Sequence, residues 1–412
     1  MQKLDEHLAL LPFSQQVLSV LQLRALNEPL LPNLTTLTLG CGRGDFIPFI
    51  PLLLSPKTTT IELSYLSFEH HRVAAASLIT AFPTICPSLQ NIRLSGLPRD
   101  PVITVAASGL LLSTSRNPLQ SFLVDCPLNE EACEVIYKLP DLCELSTVVD
   151  RSASLPTMVL PNLTDIYLKF DNDPGRDWFQ GFRGASLGRL VSVNFYSEID
   201  SVNGVLEVFE SVALGTSIPA TLSTFRFFNP SRWTPNYRAL LPFTQLKELV
   251  VEFSCEGGCP STIDDDTITD LARTMPKLET LHIGESPCET AGGITIMGLS
   301  ALAHYSPHLN GLRIHFQLDS LDPPEVPPFS SIGGLTPRQD CALTCLDVGD
   351  IFIPGESTLM VAMTLIRLFP HLEDVHHSLA SNWDEVAKVI RNSKSLINRS
   401  SKERSPATKW DY

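Results

Sequence analysis

The most regular feature of the chain is a short alternation of apolar and variable positions that recurs along most of its length. Segment 32–40 reads PNLTTLTLG, segment 276–285 reads PKLETLHIGE and segment 307–316 reads PHLNGLRIHF. They share the pattern L-x-x-L-x-L, which recurs about every 28 residues. Thirteen copies begin at Leu34, Thr58, Leu89, Leu119, Leu142, Leu163, Leu190, Leu222, Leu246, Leu278, Leu309, Leu343 and Leu372.

The three apolar positions of each copy, here called the slots, predict the core of the protein. Of 39 slots, 36 hold Leu, Ile, Val or Phe, and the exceptions are Thr58, Thr147 and His377. The x-L-x-L part alternates as a short strand does, so the slots face one side and the residues between them the other. One strand cannot bury such a face alone. Stacking of successive copies as parallel strands would bury it.

The segments between the strands have the spacing of amphipathic helices. DDDTITDLARTM at 264–275 begins with acids suited to a helix N-terminus, and Ile268, Leu271, Ala272 and Met275 then recur at helical spacing. Four further segments repeat this plan: RVAAASLITAFP, NEEACEVIYKLP, ITIMGLSALAHYSP and LMVAMTLIRLFP. In seven copies a proline stands two residues before the first slot, where it would end the helix: Pro32, Pro87, Pro140, Pro161, Pro276, Pro307 and Pro370.

This alternation predicts an α/β leucine-rich-repeat solenoid, a curved horseshoe of about 12–13 irregular repeats with a parallel β-sheet on the concave face and helices on the convex face. The lines LPNLTTLTL, PSLQNIRL and PKLETLHI resemble the leucine-rich-repeat region of fungal F-box-type proteins, over roughly residues 30–380. That resemblance implies substrate recognition for a cullin-type ubiquitin ligase, with a Skp-type adaptor as a partner. Leu11-Pro12 matches the start of an F-box, but the segment before the first repeat is shorter than that module. We therefore expect the F-box to be lost, degenerate or encoded upstream.

Three regions follow from these patterns. We expect an N-terminal helical cap over 1–30, a solenoid over 31–380, and a C-terminal helix with a disordered basic tail over 381–412. The loops at 252–267 and 318–340 interrupt the repeat period, either as a binding rim or as flexible excursions.

The residues between the slots are the candidates for binding a partner. Tyr, Phe, Arg and His dominate many binding hot spots, and they recur on neighbouring strands in the middle of the array. The predicted partner-binding residues are Tyr167, Lys169, Asn194, Tyr196, Arg226, Phe228, Glu252, His282, Arg313 and His315. The alternative is a strand surface that is merely soluble.

Composition and charge narrow the classes of partner. The formal charge is −15, and residues 386–412 alone carry +5, so the rest is strongly acidic and would repel phosphate backbones. We expect no nucleic-acid partner. The basic end is either a solvated terminus or a docking or nuclear-targeting segment. The sequence shows no signal peptide and no apolar run long enough to span a bilayer, so a cytoplasmic or nuclear protein is predicted.

Sequence patterns that would indicate a metal site or catalysis are weak. Cys255 with Cys259, and Cys341 with Cys345, are C-x3-C pairs without further ligands, and we interpret the second pair as separate thiols. The run 264–266 lacks the alternation of a calcium loop and suits a helix start better. We predict no metal, no cofactor and no catalysis. The binding protein could be a ligase subunit or a free-standing adaptor or scaffold. A remote alternative is an enzyme with its site near Arg226, His282, Arg313 and His315.

Overall fold

A computed structural model gives the fold of the chain. It describes residues 2–6, 29–40, 44–64, 71–149, 159–170, 187–197, 221–229, 237–253, 263–284, 293–317, 340–349, 351, 353, 355–377 and 382–403. The chain divides into two compact units. The first unit comprises Met1–Ile199 and Glu210–Leu222, and the second comprises Asp200–Phe209 and Ser223–Tyr412.

The first unit contains eight of the described strands and four of the described α-helices. The strands are β1 (Gln2–Glu6), β2 (Leu34–Gly40), β3 (Thr60–Ser64), β4 (Asn91–Leu94), β5 (Ser121–Pro127), β6 (Glu144–Val149), β7 (Asp165–Phe170) and β8 (Ser192–Ser197). The helices are α1 (Ile50–Leu53), α2 (Arg72–Ile85), α3 (Pro101–Thr114) and α4 (Glu130–Ile136). A 3-10 helix spans Gly44–Phe49.

The second unit continues the same plan. Its described strands are β9 (Thr224–Asn229), β10 (Glu248–Phe253), β11 (Thr280–Ile283), β12 (Gly311–Ile314), β13 (Cys345–Asp347) and β14 (Asp374–His376). Its described helices are α5 (Asp265–Thr274), α6 (Ile296–Tyr305), α7 (Thr358–Leu368) and α8 (Trp383–Glu403), with 3-10 helices at Tyr237–Leu240 and Gly355–Ser357.

Within each unit, every strand pairs in parallel with the next strand along the chain, as the repeats predicted. The middle slots lie opposite one another within both units. In the first unit these are Leu37, Ile61, Ile92, Phe122, Leu145, Ile166 and Val193. In the second unit they are Phe225, Leu249, Leu281, Leu312, Leu346 and Val375. The α/β class with parallel strands is therefore confirmed, and its order of strands is compatible with a solenoid.

The slots form the core. Of the 39 slots, 38 are buried, and only His377 is partly exposed. The two threonine slots are tolerated because their hydroxyls find acceptors inside. Thr58 Oγ1 donates to the Leu34 carbonyl at 3.0 Å, and Thr147 Oγ1 donates to the Cys126 carbonyl at 3.3 Å. The inward phase predicted for the strands is confirmed.

A polar cap begins helix α5, and prolines follow the ends of three helices, as the sequence predicted. The Asp264 carboxylate accepts a hydrogen bond from the Thr267 N–H at 2.8 Å, which caps the start of α5. Pro276, Pro307 and Pro370 each follow the end of a helix by two residues. Helix α2 is longer than expected, because it runs through Pro83 to Ile85. The N–H of Cys86, the residue after its end, bonds to the Phe82 carbonyl at 2.8 Å.

The second aspartate of the run 264–266 connects two consecutive helices. The Asp265 carboxylate accepts hydrogen bonds from the Thr295 N–H at 2.8 Å, the Thr295 hydroxyl at 2.7 Å and the Gly298 N–H at 2.9 Å. A Cβ at Gly298 would lie 2.6 Å from the Asp265 Oδ1 atom. Glycine therefore allows the close approach, and these carboxylates organise helix starts.

The predictions for the two ends of the chain had different outcomes. The predicted helical cap over 1–30 is wrong for residues 2–6, which form β1 and pair in parallel with β2. Residues 7–28 lie outside the described residues. At the other end, α8 provides the predicted C-terminal helix, and its Trp383 is fully buried and donates from Nε1 to the Ile351 carbonyl at 2.6 Å. The predicted tail from 404 onward and most of both loops, 254–262 and 318–339, are outside the described residues.

Candidate functional site

The candidate site is the outward face of each sheet, meaning the strand residues that alternate with the buried slots. Their side chains stand away from the core because successive strand residues point to opposite faces. Nine of the ten predicted residues are partly or fully exposed, and His315 is the exception. Four of the ten lie in the first unit and six in the second.

In the first unit, the four predicted residues occupy two adjacent strands. Tyr167 lies opposite Asn194, and Lys169 lies opposite Tyr196, across the β7–β8 pair. The Lys169 amine stands 4.7 Å from the centre of the Tyr196 ring, within the range of a cation–π interaction. Asn194 donates from Nδ2 to the Ser192 hydroxyl at 3.0 Å. The predicted residues are thus brought together here.

Tyr167 is the most exposed large aromatic side chain among the described residues of this face, with 37% of its surface accessible. Partial burial raises the pKa of its phenol, and the nearby Asp125 and Tyr196 raise it further. The phenol therefore keeps its proton at neutral pH, so the Tyr167 side chain presents a neutral hydroxyl and its own aromatic ring. Asp125 is held by the Gly96 N–H, which donates to its Oδ2 atom at 2.8 Å.

In the second unit, the predicted arginines are matched by carboxylates. Arg226 on β9 forms an ion pair with Glu248 on β10, with Nη2 and Oε1 2.8 Å apart. Arg313 on β12 lies between Glu252, at 3.8 Å from Nη1, and Asp347, at 3.5 Å from Nε. These contacts reach across β10 to β13 and form an ion-pair network.

His282 lies inside this network, opposite Arg313 in the β11–β12 pair. Burial lowers the pKa of its imidazole below the usual 6.5, and the positive charge of Arg313 lowers it further. Glu252, Asp347 and Glu248 act in the opposite direction but have smaller effects. The imidazole is therefore neutral at neutral pH. Phe228, opposite Glu252 in the β9–β10 pair, is partly exposed at the edge of the network.

His315 is not exposed, although the sequence predicted that it would be. Strand β12 ends at Ile314, so the alternation that would have turned His315 outward stops one residue earlier. His315 is only 8% exposed, and the next residue, Phe316, is fully buried and lies edge-on to Trp383. The Gln317 N–H then bonds to the Ile294 carbonyl at 2.7 Å, which draws this segment into the core. His315 is therefore not an exposed residue that a partner could contact as predicted.

Several residues of the outward face escaped the sequence prediction. Asp347 anchors Arg313, and its other carboxylate oxygen accepts from the Gly349 N–H at 3.0 Å. Asp347 falls between two slots of the twelfth copy, so the same alternation could have identified it. Glu144, which accepts from the Ser121 hydroxyl at 3.0 Å, is a second such residue.

Within the described residues, no three His, Cys, Asp or Glu side chains come together as a metal site. Cys341 is buried and Cys345 is partly exposed on the outward face of β13, and burial raises the pKa of both thiols. No helix in the described part of the chain is both long and apolar enough to cross a membrane.

Comparison with known proteins adds no family to these observations. No protein-family model matches the chain, and no curated protein is significantly similar to it.

Proposed function

We propose that this chain is a leucine-rich-repeat protein without catalytic activity that binds another protein through the outward face of its sheets. The repeat type is supported by the spacing of the slots together with their burial, 38 of 39 being inside. In such repeats the stacked slots supply the fold, and the residues between them are free to vary with the partner.

The observation that carries the proposal is the composition of the outward face. The fold requires only the slots, yet tyrosine and arginine side chains are concentrated between them on neighbouring strands, and Tyr167 is 37% exposed. These residue types give large contact area with directed hydrogen bonds and are enriched in binding hot spots.

The surroundings of the polar residues favour binding over catalysis. The two predicted site arginines of the second unit, Arg226 and Arg313, are held by carboxylates, and the lowered pKa of His282 leaves it neutral beside Arg313. His315, the other histidine of the remote enzymatic alternative, is buried.

For the cellular role, the resemblance to fungal F-box-type proteins favours substrate recognition within a cullin-type ubiquitin ligase, in the cytoplasm or nucleus. This role requires association with a Skp-type adaptor. A free-standing adaptor or scaffold is the alternative, and recovery of the Skp-type adaptor distinguishes the two.

The proposal is tested by affinity capture of the full chain from cells of its source organism, followed by mass spectrometry. We expect a specific protein partner whose recovery falls at least about tenfold for Tyr167→Ala with Tyr196→Ala, since hot-spot truncations cost roughly 2 kcal/mol or more. Val73→Ser with Val105→Ser, on the exposed sides of α2 and α3, serves as the control and should keep the partner. Equal recovery by both double variants would overturn the proposal. Recovery of a Skp-type adaptor would support the ligase role, and its absence would favour the free-standing adaptor.

A further inference from the structure

The outward face of β5 to β8 carries an excess of negative charge. Its outward residues include three carboxylates, those of Asp125, Glu144 and Asp165, and a single amine, that of Lys169. Asp125 and Asp165 are exposed, whereas Glu144 is partly buried and accepts from Ser121. A partner that covers this face must bring positive charge, because burying carboxylates without a compensating cation is costly.

The same face presents aromatic rings to which a cation can bind. The Lys169 amine already occupies the Tyr196 ring at 4.7 Å. Tyr167 is the outward residue of β7 that precedes Lys169. It lies between Ser146 of β6 and Asn194 of β8, which have smaller side chains. The Tyr167 side chain is 37% exposed, so its ring is the aromatic surface available to a second cation.

The carboxylates stand close to that ring. Asp125 is near enough to Tyr167 that its charge raises the pKa of the phenol. Asp165 precedes Tyr167 by two residues on the same strand and so points to the same side. A cation resting on the Tyr167 ring would consequently meet both an aromatic face and two negative charges, which strengthens a cation–π contact.

We propose that the patch formed by Asp125, Asp165, Tyr167 and Tyr196 binds a positively charged, extended segment of the protein partner. One Lys or Arg side chain of that segment lies against Tyr167, and its charge faces Asp125 and Asp165. This inference rests on the proposed function and names the chemistry of the partner. A nucleic acid does not fit, because the patch would repel its phosphates.

The spacing of the strands suggests the form of the segment. Strands β5 and β7 are separated by one intervening strand, roughly 10 Å in all, which a peptide in the extended polyproline II conformation covers in about three residues. Every third side chain of that conformation points to the same side, so basic residues at every third position would reach both carboxylates. The peptide (Lys-Gly-Gly)5 is a suitable probe, and (Glu-Gly-Gly)5 is its counterpart of opposite charge.

The test measures binding of fluorescein-labelled (Lys-Gly-Gly)5 to the full chain by anisotropy at about 0.15 M salt, where charges beyond roughly 8 Å are screened. Asp125→Asn with Asp165→Asn should weaken binding by about tenfold, because two charge-assisted contacts are lost. Tyr167→Leu should weaken it by about fivefold, because the aromatic face is lost. The asparagine at 125 retains an oxygen that can accept from the Gly96 N–H, so the fold should survive.

The matched control is Glu131→Gln with Glu134→Gln on α4, since these exposed carboxylates are lost with the same change in net charge. This variant should bind the probe within about twofold of the unmodified chain, because screening isolates distant charges. Equal weakening by both double variants would reduce the effect to net charge and overturn the inference, as would an absence of binding or equal binding of (Glu-Gly-Gly)5. A captured partner that still binds the Asp125→Asn, Asp165→Asn variant but not the tyrosine double variant would overturn this inference and leave the proposed function standing.

Discussion

The outward faces of the two units differ in how their charges are balanced, although the strands of both units bury the same kind of apolar slots on their inward side. In the second unit, Arg226 and Arg313 lie within 4 Å of three outward carboxylates, those of Glu248, Glu252 and Asp347. In the first unit, the outward face of β5 to β8 has tyrosine rings, and its carboxylates Asp125 and Glu144 accept hydrogen bonds from uncharged groups instead. An internally compensated face can keep its charges in solution, whereas an uncompensated one favours a partner of opposite charge. The inward slots thus determine the fold, and the residues between them determine what each face can bind.

The largest expected effect on stability separates two adjacent residues of β11, one inward and one outward. Leu281 is fully buried in a slot, and His282 faces outward. Leu281→Asp should lower the free energy of unfolding by more than about 4 kcal/mol, because it removes a packed side chain and buries a charge. His282→Ala should lower it by less than about 1 kcal/mol. Urea unfolding followed by circular dichroism measures both, and equal losses would show that the two faces are wrongly assigned.

A smaller effect should appear in the titration of His282. Arg313 lowers the pKa of its imidazole, so Arg313→Met should raise that pKa towards or above the usual 6.5, with Glu252 and Asp347 left nearby. NMR titration of the histidine ring signals measures the change. Arg93→Met, which removes an arginine paired with Glu62 in the first unit, is the control and should leave His282 unchanged. A pKa that stays the same or falls in Arg313→Met would contradict the ion-pair network.

The same pKa has a consequence for stability. Because folding lowers the pKa of His282, the unfolded chain binds its proton more readily than the folded chain as the pH falls below about 6.5. The contribution of His282 to stability is therefore retained above that pH and lost below it. Replacement of Arg313 by Met should reduce this loss, because the folded-state pKa moves closer to the unfolded one.

The sequence predicted the buried part of the molecule better than its exposed part. Spacing alone located the strands β2 to β14 and their inward residues, because a ladder of parallel strands forces a repeated apolar pattern on the chain. It could not locate the end of β12, so His315 was placed outward although the chain turns into the core beside Trp383. It also missed β1, since five residues with one central leucine give little periodic signal.

The chemistry of the face depends on contacts between repeats, which a one-dimensional pattern does not contain. Arg313 was identified as a candidate, but its position between Glu252 and Asp347 follows from three different strands. Likewise, Tyr196 was selected as an aromatic residue, whereas the Lys169 amine over its ring follows from the register of β7 and β8. Such pairs become visible only when the strands are aligned in space.

The proposed function places the protein partner on the outward sheet face and not on the helical side. Site-specific photocrosslinking distinguishes the two faces, with benzoylphenylalanine placed at Tyr196 on β8 or at Val105 on α3, which is 66% exposed. We expect a crosslink to the captured partner from position 196 and none from position 105. A crosslink from position 105 without one from position 196 would show that the partner binds the helical side instead.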